Sequence, residues 1–142
     1  MGGVPRVEIR ENPGSLADVE HLKLIQAVIT RMAGNSFLIK GWSVTLVAGL
    51  GAIAKTQNEA GVAWIAAGVV VVFAILDAFY LALERAYRDL YQRVAADSPD
   101  VKLWSLKVHV GYREVVKAFD SLAVILLHGA VFAGALIVGL KS

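Results

Sequence analysis

Hydrophobic positions along this chain follow two patterns. Three stretches are almost uninterrupted by charge: Phe37 to Ala54 apart from Lys40, Val62 to Leu83 apart from Asp77, and Ser121 to Leu140, where His128 is the sole ionisable residue. A bilayer core of about 30 Å takes about 20 apolar helical residues, within a range of roughly 17–25. Each stretch therefore predicts a transmembrane helix. The second pattern is a stripe at helical spacing. Leu22, Ile25, Val28, Ile29 and Met32 share one face, which predicts a helix starting near Leu16 and running into the first span. Ser15 with Asp18 three residues on resembles a capping box at its start. Gly34 and Asn35 are weak breakers where the helix can kink.

The second span overruns in the same way. Leu83, Tyr87, Leu90, Tyr91 and Val94 continue an apolar face, and Glu84 with Arg88 and Asp89 with Arg93 make i,i+4 acid-to-base pairs, which favour a helix slightly. Asp97-Ser98-Pro99-Asp100 ends it. The polar connection 55–61 is short enough to join the first two spans as a hairpin. Residues 101–118 are ambiguous: alternation suggests a strand, while Trp104, Val108, Tyr112, Val115 and Phe119 suggest a helical face. An amphipathic segment at the headgroup level suits Trp104 and Tyr112.

The expected fold is an all-α membrane protein with three transmembrane helices, the first two an antiparallel hairpin with cytosolic helical extensions. Its parts are an N-terminal arm (1–15), a long hairpin (16–96) with spans at about 37–54 and 62–83, a cytosolic amphipathic connector (97–120) and a third span (121–140). Composition agrees. Of 142 residues 57% are apolar and 18% charged, against about 45–50% and about 25% in soluble domains. The alternative, three buried helices of a soluble protein, fits the span lengths less well.

Charge sets the orientation. Arg6, Arg10, Lys23, Arg31 and Lys40 precede the first loop; Arg85, Arg88, Arg93, Lys102, Lys107, Arg113 and Lys117 lie between the second and third spans; only Lys55 and Lys141 fall on the other side. The positive-inside rule then expects the N-terminus and the 84–120 segment in the cytoplasm and the C-terminus outside. None of the spans reads as a signal peptide, because a long polar segment precedes the first. A net charge of +2 is too small to imply a nucleic-acid partner.

No catalytic motif is present. His21, His109 and His128 lack the HExxH spacing and the chain has no Cys, so neither a metal site nor a thiol nucleophile is expected. There is no GxSxG and no phosphate-binding glycine loop. We expect no enzyme and no cofactor.

The intramembrane polar residues are the leading functional candidates, because charge in lipid is costly and usually faces a partner or a wet interior. Lys40 lies fourteen residues before Ala54 and Asp77 fifteen after Val62, each roughly 21–22 Å from the outer side at about 1.5 Å per residue. An ion pair Lys40–Asp77 follows, with His128 within about one helical turn of it. This layer is either a structural pair with a snorkelling lysine or the lining of a gate formed by several subunits; a proton relay is a third reading.

Small residues recur every four positions at Gly41, Thr45 and Gly49, at Ala74, Ala78 and Ala82, and at Gly129 and Ala133, Ala130 and Gly134, and Ala135 and Gly139. Such faces let helices approach closely, within one chain or between copies in a homo-oligomer. Arg85, Arg88, Arg93, Lys107 and Arg113 are candidate contacts for a cytosolic partner, an anionic messenger or lipid headgroups.

At 31–43 (RMAGNSFLIKGWS) and 76–91 (LDAFYLALERAYRDLY) the sequence resembles a family of small bacterial membrane proteins that occur near antiphage defence genes. Its layout is similar to that of SLATT-type effectors, in which a long helical hairpin perforates the membrane once a sensor signals; the third span is additional to that two-span plan. The resemblance implies an oligomeric inner-membrane effector that forms a pore or disrupts the membrane, triggered by a partner sensor or a nucleotide signal, and it supplies no catalytic residues. The alternatives are a membrane anchor that docks a cytosolic partner and a small transporter or channel subunit.

Overall fold

The structure, a computed structural model, describes residues 16–57 and 60–141. The N-terminal arm and the proposed cap at Ser15 lie outside the described residues. All regular structure among the described residues is helical: α1 (Leu16–Gln57), α2 (Ala60–Ala95), α3 (Tyr112–Phe119) and α4 (Leu122–Lys141). The segments of α1, α2 and α4 at Leu16–Gln57, Gly61–Ala95 and Leu122–Leu140 are long and apolar enough to cross a membrane. α1 has 42 residues, about 63 Å at about 1.5 Å per residue. α2 has 36, about 54 Å. Both are far longer than a hydrocarbon core of about 30 Å. α1 stays helical through Gly34 and Asn35, because neither residue removes a hydrogen-bond donor from the helix.

Three packing clusters hold the chain together. Val47 of α1 meets Ala66, Ala67 and Val70 of α2 and Ala135 of α4. Ile25 and Ile29 of α1 meet Leu90 of α2 and Val101 of the connector, with Tyr87, Tyr91, Val94 and Val108 around them. Ala78 and Ala82 of α2 meet Ala118 of α3, flanked by Val115 and Phe119. The partners thus move towards the start of α2 as they move along α1, so the two helices run in opposite senses. α4 also opposes α2: His128 meets Asp77, and Gly139 lies against Ala63.

Hydrogen bonding explains the end of α2. Ser98 N–H donates to Arg93 O and Asp97 N–H to Val94 O, both at 3.0 Å, while Asp97 takes φ 50°. This is a Schellman ending with aspartate in the left-handed position that glycine usually fills. Pro99 directly follows and cannot continue a helix.

The connector is neither strand nor continuous helix. Residues 102–111 run without regular structure over the outer part of α1 and α2, and only 112–119 are helical. α3 starts at Gly111, whose N–H is accepted by Glu114 Oε2 at 2.9 Å, half of a capping box. The strand-like alternation has no neighbouring strand to pair with among the described residues. Its apolar positions, Val101, Val108 and Val110, are instead spent on two helix surfaces. Trp104 takes φ 65°, a left-handed conformation that costs a bulky side chain about 1–2 kcal/mol.

Candidate functional site

One carboxylate organises the centre of the bundle. Asp77 lies on the face of α2 that continues Val70 towards Ala78, and its side chain is 0% exposed. Oδ1 accepts from Lys40 Nζ at 2.6 Å and from Ser36 Oγ at 2.5 Å. Oδ2 faces His128 Nε2 at 3.2 Å. Since a carboxylate only accepts, Nε2 is the donor and carries a proton. Lys40 Nζ also donates to Ser36 Oγ at 2.7 Å, so the serine hydroxyl accepts from the lysine and donates to the aspartate. Ser36 and Lys40 are one turn apart on α1, the spacing at which two side chains share a face. Lys40, Asp77 and His128 are thereby brought together, from three helices, at one level.

The network is closed within one chain. Lys40 keeps 25% side-chain exposure, so part of its side chain faces out of the bundle. Three buried side-chain polar atoms make no hydrogen bond among the described residues: Ser43 Oγ, His128 Nδ1 and Arg93 Nε, the last still ion-paired with Asp89 Oδ2 at 3.1 Å. Ser36 and Ser43 were not singled out from sequence. Their signal is spacing: Ser36, Lys40, Ser43 and Val47 form one inward stripe of α1 that carries its few polar side chains.

The small-residue positions divide. Ala78 and Ala82 are buried against α3, Ala74 is half-buried, and Ala135 and Gly139 face α2. Gly41, Thr45 and Gly49 of α1, and Gly129, Ala130, Ala133 and Gly134 of α4, are exposed. A Cβ added at Gly41, Gly49, Gly129 or Gly134 meets no atom within 4 Å. These residues do not bring helices together within the chain. The reason is angular: the inward stripe of α1 is already set by Ser36, Ser43, Val47 and Ala54, and Gly41 and Gly49 lie off it.

The basic candidates also divide. Arg85, Arg93 and Lys107 line one groove between α2 and the segment 107–117, joined by His109 and Lys117, which sequence reading missed. Arg88 instead pairs with Glu84 at 2.7 Å and borders a different hollow beside Gln26 and Ile29. Arg113 is exposed on α3 and borders neither.

Near the N-terminal end of α1, His21 is 1% exposed and its Nε2 lies 3.0 Å from Ser105 O. A carbonyl oxygen can only accept, so Nε2 donates here too. The Trp104 ring lies 6.1 Å from the imidazole. His21 therefore pins the connector to the start of α1. No group of three or more His, Cys, Asp or Glu among the described residues is arranged to hold a metal ion.

No protein-family model matches this chain, and neither a curated protein nor a solved structure is significantly similar to it.

Proposed function

We propose that this chain is a multi-pass protein of the bacterial inner membrane that assembles with copies of itself and permeabilises the membrane when its bundle opens. In this reading α1 and α2 form a hairpin whose outer turns extend into the cytosol, with the N-terminus inside and the C-terminus outside. The trigger is a partner sensor or a nucleotide-derived signal, and the setting is antiphage defence, as the sequence resemblance implies. The observation that carries the reading is the Asp77 junction. A single carboxylate ties α1, α2 and α4 at one depth, so one event that removes its partners loosens all three helices together. The outward small-residue faces of α1 and α4 support assembly between copies.

The test is membrane potential in cells expressing the chain alone. The wild type is expected to stay quiet, and Lys40→Leu to depolarise the membrane while still inserting. If Lys40→Leu and Asp77→Leu both insert at normal levels and the potential holds, the latch reading is wrong.

A second reading, a membrane anchor that docks a cytosolic partner, draws on exposed Leu16, Val19 and Leu24 near the start of α1 (85%, 40% and 46% exposed), outside the apolar span. Capture of a partner that is lost on changing Leu16 and Leu24 to Ser, with no effect of Lys40→Leu on potential, distinguishes it. A transporter subunit requires Asp77 to exchange its partners for substrate, and both of its oxygens are already engaged.

A further inference from the structure

A groove of about 500 Å³ lies between α2 and the segment 107–117. Its walls carry four basic side chains, Arg85, Arg93, Lys107 and Lys117, and two acidic ones, Asp89 and Glu114. The charges do not cancel. Arg93 is paired with Asp89 and Asp100, each at 3.1 Å, while Glu114, whose Oε2 accepts the Gly111 N–H at 2.9 Å, keeps its negative charge. Among the described residues Lys107 and Lys117 have no carboxylate partner, and the Arg85 guanidinium reaches only the Lys117 carbonyl oxygen, at 3.4 Å. Three cations without an ion-pair partner among the described residues thus border one concave space, against the single unpaired charge of Glu114. Ala82, Ala86 and Val108 supply an apolar wall.

We infer that this groove binds a phosphate-bearing anion. Arg presents a planar fork that matches phosphate oxygens, and the two ammonium groups add charge without demanding geometry. Position narrows the choice. Arg85 lies eight residues beyond Asp77, about 12 Å along the helix, where the apolar span of α2 gives way to charge. α3 packs its apolar face on Ala78 and Ala82 just beneath. A phosphodiester at the membrane surface and a free phosphate in solution meet the same three cations there. The site does not depend on the Asp77 junction or on membrane permeabilisation; only the lipid source rests on the membrane reading.

The experiment uses the full chain in two arms. In detergent, titration with inorganic pyrophosphate is followed by calorimetry. In nanodiscs of phosphatidylcholine with or without phosphatidylglycerol, retained anionic lipid is counted by native mass spectrometry. Each lysine near a phosphate surface is worth about a fivefold change in binding, so Lys107→Gln with Lys117→Gln should weaken it by about 25-fold. Lys55→Gln, which removes one such charge elsewhere, should have no effect. All three positions are exposed, and unchanged helicity by circular dichroism verifies folding. Arg85→Lys keeps the charge and should still weaken binding, because the fork is lost. Loss confined to the pyrophosphate arm identifies a soluble ligand, and loss confined to the lipid arm identifies a headgroup. No saturable binding in either arm, or an equal loss in Lys55→Gln, overturns the inference.

Discussion

Lys40→Leu is expected to destabilise the bundle strongly, and Asp77→Leu and the double variant only slightly. Removing one partner of a buried ion pair costs about 3–5 kcal/mol, mostly through the charge left behind, whereas replacing both by apolar groups is often close to neutral. The two partners are unequally buried, at 25% exposure for Lys40 and 0% for Asp77. Lys40→Leu strands a carboxylate with no water, held only by Ser36 Oγ and His128 Nε2. Those donors remain, so the low end of the range applies, about 3 kcal/mol. Asp77→Leu forfeits the bonds from Ser36 and His128, about 1 kcal/mol together, while the ammonium left behind sits on a flexible stem that can move towards water at little further cost. Leucine matches the branching of the carboxylate, so little strain is added. The double variant forfeits the two remaining hydrogen bonds to the carboxylate. Interhelical hydrogen bonds in lipid average about 0.6 kcal/mol each, which gives a loss of about 1 kcal/mol.

The coupling between the two sites is therefore expected to be about 3 kcal/mol, at the upper end for residues in contact. It is measured by titrating the purified proteins in mixed micelles with sodium dodecyl sulfate and following helicity and tryptophan emission. The decisive comparison is the double variant against Lys40→Leu. If the double is as unstable as that single, the lone carboxylate is not the expensive state, and the 2.6 Å contact is not an energetic tie.

Other consequences test separate contacts. Gly139→Ala places a Cβ 3.1 Å from that of Ala63, and overpacking of this kind costs about 1–3 kcal/mol, while Gly134→Ala, in open space, should leave the same unfolding midpoint unchanged. Ser43→Ala removes a buried hydroxyl with no hydrogen-bond partner among the described residues, so its stability should match or exceed the wild type; a loss above about 1 kcal/mol would reveal a partner for that hydroxyl. His21→Ala frees the Ser105 carbonyl and should release the connector, at about 1–3 kcal/mol, seen as faster proteolysis within 97–111 while the Lys40–Asp77 coupling persists. Gly49 is exposed and a Cβ there meets nothing within 4 Å, so Gly49→Leu should leave the single chain folded but lower the mass of the detergent-solubilised assembly; an unchanged mass removes the α1 face from any interface between copies.

The spans were legible because lipid imposes length and charge rules that read directly from sequence. Counting from the 55–61 loop put Lys40 and Asp77 at one depth, and only residue rise enters that count. It could not give Ser36, since a serine in a span is unremarkable until its neighbours are known. Nor could it divide the small-residue stripes. Which face of α1 turns inward depends on where α2 and α4 lie, and Gly41 is as suitable for contact as Ser43 until they are placed. The connector failed to read for another reason. Val108 and Val110, in phase in the alternating pattern, pack on different helix surfaces, so the alternation reflects two surfaces and not a strand. Arg88 and Lys117 show the same limit: i,i+4 pairing explains Arg88 locally, while Lys117 gains its role only when α3 folds back beside Arg85.

The placement of the polar residues has a physical logic of its own. Between helices in lipid there is no hydrophobic drive, because acyl chains are as apolar as leucine. Smooth contacts such as Ala135 and Gly139 on α2 give close approach but little preference for register, since one small residue substitutes for another a turn away. A carboxylate shared by Ser36, Lys40 and His128 does specify register: a slip of one turn in α1 or α4 strands Asp77 without its donors in a dry site, at a cost of several kcal/mol. In the proposed function the same property lets the junction serve as the switch point. Contacts spread along a helix yield gradually, whereas a single buried charge is either satisfied or not. In the proposed function, an interaction that draws Lys40 away from Asp77 weakens the tie of all three helices at once.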